Sequence, residues 1–201
     1  MAPLRRLVLV RHGETEGNSS TRFHGSSDVA LSESGRAQLR ALLPALRGEG
    51  FDLVVASPLR RSWQAARILA GSAPLRLEAD FREIHFGRWE GLTKQEIEAS
   101  DPILYHDWQA RAPGFEYPGG ERRAEFRARV ARGLGRLRES GACAALCALH
   151  KGVIRAIAEE LLGAPLEDDI PALGASLELT REPSGRWFRG RRGSDPPSLA
   201  A

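Results

Sequence analysis

The 201-residue chain has only two cysteines and one methionine, an aromatic content of 6%, and no long apolar run. Cys143 and Cys147 fall in the apolar run Ala142 to Leu149. Four residues apart on a strand rising roughly 3.3 Å per residue, they would stand about 13 Å from each other. A disulfide needs alpha carbons within about 7 Å, so both thiols are expected to be reduced and buried. Near the N-terminus the apolar run Leu7 to Val10 is stopped by Arg11, His12 and Glu14. That run is too short for the core of a signal peptide or for a bilayer span, which leads to the expectation of a cytoplasmic protein with no membrane partner.

Other absences bear on chemistry. No Gly-x4-Gly-Lys-Ser/Thr sequence is present and no glycine-rich dinucleotide fingerprint follows an apolar run, so nucleotide-dependent transfer lacks support. No His-Glu-x-x-His pattern or closely spaced Cys/His set occurs among the 5 histidines, and neither a metal nor another cofactor is expected. Lys94 and Lys151 are the only lysines among 29 basic residues, so the net charge of +3 is carried almost wholly by arginine. Arginine forks suit a site that grips small anions.

The remaining composition, 42% hydrophobic and 27% charged, is that of one soluble globular domain over 1–201. Leu7 to Val10, Leu53 to Ala56 and Ala144 to Leu149 are short continuous apolar runs, as in strands buried on both faces of a parallel sheet. Helical patterns lie between them: one capped by Ser32 and ending near Gly48, with Pro44 expected to kink or restart it, then Leu59 to Ala70, Glu121 to Ser140 and Val153 to Leu162. Strand alternating with helix predicts a three-layer α/β/α sandwich with a mostly parallel central sheet. The stretch from about 87 to 120 departs from this rhythm. It carries a short helical piece near Thr93 to Ala99 and the aromatics Trp89, Tyr105, Trp108, Phe115 and Tyr117, and reads as a lid insertion with packing as the aromatics' first role. The tail from about 193 to 201 has little to bury and is expected to fray.

Three predicted strands end in chemistry. Arg11-His12-Gly13 follows the first, with Gly13 freeing the backbone to turn; Ser57-Pro58-Leu59-Arg60-Arg61 follows the second, and His150-Lys151-Gly152 the third. Ligands of open α/β sheets bind outside the carboxyl ends of the strands, so two histidines and several arginines converge there. Guanidinium forks match phosphoryl oxygens, and a histidine beside them is held neutral, with a ring nitrogen free to attack phosphorus. The constellation points to phosphoryl transfer through phosphohistidine. Glu83, flanked by apolar residues in Phe81-Arg82-Glu83-Ile84-His85-Phe86-Gly87, offers a protonated carboxyl for the leaving group.

These residues resemble the histidine phosphatase superfamily. The likeness runs from Leu9-Val10-Arg11-His12-Gly13-Glu14-Thr15 through Asn18, Gly25 to Gly35, Ser57-Pro58-Leu59 with Arg61, Glu83, Phe86 to Gly91, Pro118-Gly119-Gly120-Glu121, and His150 with Arg155. It implies His12 as nucleophile and Glu83 as general acid and later base. It further implies that Arg11, Asn18, Arg61 and His150 hold the phosphoryl group, with protonated His150 adding positive charge, and that His24 and Gly25 lie at the substrate. Arg60 is the lesser ligand of its pair. Ala65 stands where the family often has threonine, and Lys151 where a glycine commonly follows the second histidine.

Within the family the compact Pro118-to-Glu121 turn and the short interval from Glu83 to His150 favour a phosphatase acting on a small-molecule phosphomonoester over a cofactor-dependent phosphoglycerate mutase. An alternative of another class is a nucleic-acid binding module, suggested by Arg122, Arg123, Arg127, Arg129, Arg132, Arg136 and Arg138. Phe126, Val130, Leu134 and Leu137 form an apolar stripe beneath that series, so a solvated basic helix face is expected instead and no nucleic-acid partner. His85 and His106 read as structural or surface residues. Nothing in the sequence fixes the oligomeric state, and a homodimer stays open.

Overall fold

The three apolar runs form the middle of a six-stranded sheet in the computed structural model, which describes residues 3–166 and 169–190. The chain runs through β1 (Arg6–Arg11), α1 (Glu33–Leu46), β2 (Leu53–Ala56), α2 (Arg60–Leu69), β3 (Leu75–Leu77), α3 (Lys94–Ser100), α4 (Pro102–Gln109), α5 (Arg123–Arg138), β4 (Ala144–Leu149), α6 (Lys151–Leu162), β5 (Ser176–Arg181) and β6 (Trp187–Arg189). Strand order is β3-β2-β4-β1-β5-β6. The pairings from β3 to β1 are parallel, whereas β5 and β6 join antiparallel. The expected frayed tail, with Arg191 and Arg192, lies outside the described residues.

Side chains alternate across each central strand, and that alternation builds the three layers. Leu7, Leu9, Cys147 and Leu149 face α5 and α6, in a cluster with Phe126, Val130, Leu134, Leu137, Ile154 and Ile157. Val8, Val10, Leu146 and Ala148 face the opposite way, against Leu39 of α1 and Ala65, Ala66 and Leu69 of α2. Each of the larger side chains contributes about 1.5–3 kcal/mol by leaving water, which explains why these strands read as unbroken apolar runs.

Ser32 caps α1 by accepting from Gly35 N at 3.1 Å. Pro44 does not restart this helix. It sits in the last turn, where the hydrogen bond it cannot donate is one of the final ones, and Arg47 N closes the end on the Pro44 carbonyl. Helix α6 starts two residues earlier than the apolar pattern predicts and stops at Gly163, whose φ of 67° is left-handed. Helix α4 and strands β3, β5 and β6 have no counterpart in the sequence reading: β3 is a three-residue edge, and β5 alternates instead of running continuously apolar.

Two expectations need correction. Cys143 is exposed, because β4 begins one residue after it, and only Cys147 is buried. The basic side of α5 is ion-paired and not merely solvated: Arg127 meets Glu159, Arg129 meets Glu121, Arg132 meets Asp80, Arg136 meets Glu78 and Asp80, and Arg138 meets Glu160. Glu159 and Glu160 come from α6, Glu78 and Asp80 from the start of the 3₁₀ turn Ala79–Phe81, and Glu121 from the turn that precedes α5, so the arginines staple α5 to its neighbours.

Residues 87–120 form an aromatic cap. Trp89, Ile97, Tyr105 and Phe115 are buried together, with Phe23, Phe86, Trp108 and Tyr117 packed around them. Thr93 and Glu96 close a capping box at the start of α3, which places that helix one residue after the expected piece begins.

Candidate active site

Register brings the two histidines side by side. Parallel pairing matches Arg11 of β1 with Leu149 of β4, so the next residue of each strand, His12 and His150, leaves the sheet edge together. Their ring centroids are 5.3 Å apart at 62°. His12 Nδ1 lies 2.8 Å from the Gly13 carbonyl and must donate to it, which leaves Nε2 with its lone pair. Gly13 is required for space, not for a turn: a Cβ there would stand 2.3 Å from the Gly35 carbonyl oxygen.

Arg61, at the start of α2, is fully buried, and its charge acts on both imidazoles. Ser62 fastens the start of α2 to the sheet, donating to the Ala148 carbonyl at 2.6 Å and accepting from Ser57 N at 2.9 Å. The Arg61 guanidinium then donates to the carbonyls of Ser27 (2.6 Å), His24 (2.9 Å) and Gly25 (2.6 Å), and its Nε has no partner within the protein. Those carbonyls are aimed by Glu90, whose carboxylate accepts from the backbone N–H and hydroxyl groups of Ser26 and Ser27 and from Phe86 N. Glu90 is a residue the sequence reading missed. A carboxylate that acts through a loop has no periodic signature.

Burial pulls the Arg61 pKa down to about 10, with Glu83, Glu90 and Asp28 holding it up, so the group stays charged at neutral pH. Burial first, and then the Arg61 charge, pushes both His12 and His150 well below the usual imidazole range. The direction of this shift favours a neutral His150 ring when no anion faces it, so the expected protonated ring needs a bound anion. Neither of its ring nitrogens has a partner within the protein.

Glu83 is buried against the first turn of α6. Its Oε2 accepts from Gly152 N at 2.9 Å and its Oε1 from Ile84 N at 3.0 Å. Burial raises its pKa, outweighing those two donors and the charges of Arg61 and Arg11. The close approach falls at Gly152, where a Cβ would meet Glu83 Oε1 at 2.5 Å, and not at the preceding position. Lys151 can therefore occupy the first place of α6 without crowding the carboxyl. Its amine is lowered in pKa by burial and by neighbouring Arg11 and Arg155.

Arg11, His12, His24, Glu83, Lys151 and Arg155 open onto a cavity of about 1060 Å³ that Lys94, Phe86, Trp108, Phe115 and Tyr117 also line. The aromatics thus both pack the cap and face the cavity. His24 holds the Gly17 carbonyl through Nε2 at 2.5 Å. Gly25 is linked to the site through the carbonyl it gives Arg61. Asn18 is exposed on a left-handed turn, φ 58°, and does not line the cavity. Arg60 is exposed and gives its backbone N–H to Asp28. Ala65 packs against the sheet, away from the cavity. Among the described residues no group of three His, Cys, Asp or Glu side chains is placed to hold a metal ion.

The chain belongs to the histidine phosphatase superfamily: the family's branch 1 profile matches residues 7–187. Over 198 residues the chain is 34% identical to the glucosyl-3-phosphoglycerate phosphatase of Mycobacterium tuberculosis, covering 92% of this chain and 88% of that one. It is 33% identical over 189 residues to the adenosylcobalamin/alpha-ribazole phosphatase of Salmonella typhimurium, covering 90% and 88%. Among solved structures, the alpha-ribazole phosphatase of Shigella flexneri superposes with a TM-score of 0.80 at 27% identity, covering 92% of this chain and 94% of that one. The mycobacterial glucosyl-3-phosphoglycerate phosphatase in complex with VO3 gives 0.79 at 32% identity, covering 92% and 97%.

The Glu83 contact with α6 is directly testable. Replacing Gly152 by Ala should displace the carboxyl and lower turnover of an alkyl phosphate by about 10²-fold or more, the scale of general-acid catalysis. Steady-state rates beside a thermal melt measure this; a folded Gly152→Ala enzyme with wild-type turnover would remove the contact from the mechanism.

Proposed function

We propose that the protein hydrolyses phosphomonoesters of small metabolites through a phosphohistidine on His12, without a metal ion. The observation that carries this reading is the His12 ring, fixed by Gly13 so that Nε2 keeps its lone pair, at a cavity that Arg11 also lines, with the unpartnered His150 ring 5.3 Å away and the buried Arg61 charge acting on both imidazoles. Arg11, Arg61 and His150 receive the phosphoryl oxygens. A bound dianion favours protonation of His150, opposing the burial and the Arg61 charge that lower its pKa.

In the first step the Nε2 lone pair forms the N–P bond, the P–O bond to the leaving group breaks, and the Glu83 proton moves to the departing oxygen. In the second step a water oxygen bonds to phosphorus, Glu83 takes the water's proton, and the N–P electron pair returns to His12. Inorganic phosphate leaves. The charge that a metal would provide comes from the guanidinium groups.

A cavity of this volume, rimmed by aromatics and by both lysines, favours an organic leaving group much larger than phosphate. Named relatives act as phosphatases, which supports hydrolysis over isomerisation. Ion pairing along α5 uses the charge that a nucleic-acid surface would need. No helix among the described residues is long and apolar enough to cross a membrane. Two free thiols fit a reducing, cytoplasmic setting.

Product analysis separates the readings. Across a panel of phosphorylated metabolites the protein should release inorganic phosphate at a rate unaffected by chelators. With 3-phosphoglycerate primed by the bisphosphorylated acid it should give phosphate or no reaction. Isomerisation with organic phosphate conserved would replace the phosphatase by a mutase, and a chelator-sensitive rate restored by a divalent ion would overturn the metal-free mechanism.

The pH dependence follows from the two shifts. His12 must be neutral, and its lowered pKa places the rising limb of kcat/KM below the ordinary histidine value of about 6.5. Glu83 must be protonated for the first step, and its raised pKa places the falling limb above the ordinary value of about 4.3. In Glu83→Gln the falling limb should disappear; a limb that persists unchanged would belong to another group.

A further inference from the structure

Glu83 lies where the backbone has no regular support. Residues 82–86 belong to no helix or strand, between the 3₁₀ turns Ala79–Phe81 and Gly87–Trp89. Among the described residues the hydrogen bonds to its carboxyl come from Ile84 N and Gly152 N, so the direction of the side chain depends on how the chain is fixed at residues 82–84.

A single side chain from α5 supplies that fixing. Arg129 lies over the Phe126 ring, 4.8 Å from its centroid, with its side chain 15% exposed. Nη1 donates to the carbonyls of Asp80 (2.8 Å) and Arg82 (2.6 Å), and Nη2 to the carbonyl of Glu83 (3.2 Å). Nε and Nη2 donate to the two carboxylate oxygens of Glu121, at 2.6 and 2.8 Å. A guanidinium has five N–H donors, and each has a place in this arrangement. Glu121 also accepts from His85 N at 3.4 Å, so the pair grips both ends of the irregular stretch. Arg127, Arg132, Arg136 and Arg138 of α5 pair with carboxylates, whereas Arg129 also bonds three backbone carbonyls around the acid.

We propose that Arg129, held by Glu121, is a positioning residue for Glu83: it fixes the 80–85 backbone so that the carboxyl reaches the leaving-group oxygen. This rests on the general-acid role given to Glu83 above. Lysine at 129 would keep the charge but offers three donors without the planar fork, so it cannot hold three carbonyls and a bidentate carboxylate together. Displacing a catalytic group by about 1 Å costs about 10²-fold in rate, and that is the loss expected for alkyl phosphate turnover in Arg129→Lys.

The test is a double-mutant cycle. Wild type, Arg129→Lys, Glu83→Gln and the double variant are compared by turnover of an alkyl phosphate and by the initial phenolate burst with a nitrophenyl phosphate, whose leaving group needs little protonation. Arg129→Lys should slow the alkyl substrate far more than the burst, as Glu83→Gln does, and should cause no further loss in the Glu83→Gln background. Losses that multiply in the double variant, or an Arg129→Lys that slows both substrates equally, would overturn the proposal. If Arg129→Lys melts below the assay temperature, Glu121→Gln carries the test, because it leaves the guanidinium in place and weakens its bidentate hold. It should show the same substrate-dependent loss, and a wild-type rate would count against the clamp. A wild type with no burst and no phosphate release would refute the phosphatase reading itself, an outcome separate from a failed cycle.

Discussion

Burial of the Arg61 guanidinium among carbonyl groups is the constraint on which the site depends. A charge removed from water is costly unless it is hydrogen-bonded and paired, and here its nearest partners are the carbonyls of His24, Gly25 and Ser27. Charge-assisted bonds offset part of the desolvation, while Glu90 and Asp28 act at longer range. What remains is positive potential directed at two imidazoles. Their own burial first, and this potential second, lower the pKa of both and favour the neutral rings that the proposed attack on phosphorus requires. The phosphoryl dianion is the group that completes the electrostatics.

Glu83 meets the opposite problem. A helix N-terminus and two arginines favour its carboxylate, while burial favours the acid, and burial prevails. That balance suits a group that must give a proton in one step and accept one in the next. It holds only while the carboxyl stays in a dry position against Gly152, where no side chain can intrude. The placement of this carboxyl therefore rests on one glycine and on the backbone of an irregular stretch, and not on the sheet that carries the histidines.

Much of this was legible in the amino-acid order. Leu7 to Val10 and Ala144 to Leu149 are apolar at every position because both faces of the sheet are covered, and Arg11, His12 and His150 follow from where those runs stop. Strands β5 and β6 escaped notice because a strand with one covered face alternates, and alternation over six residues is weak against a background of arginine. Glu90 and Glu121 act through carbonyls and loop amides, and such contacts leave no spacing rule. Arg129 was hidden among like residues on one helix face; only the fold distinguishes the arginine that grips the acid's backbone from those that pair with surface carboxylates. The lowered pKa of His150 likewise comes from burial of its ring and then from the Arg61 charge, neither of which a local pattern reveals.

Direct capture of the phosphoenzyme tests the central claim. The protein is quenched in base during turnover of a phosphomonoester, and the attachment site is read by phosphorus NMR and peptide mapping. The account requires an acid-labile, base-stable phosphoryl group on Nε2 of His12, because Nδ1 is committed to the Gly13 carbonyl, and no label in His12→Ala. Phosphate on Nδ1, on another residue, or undiminished in His12→Ala would contradict it.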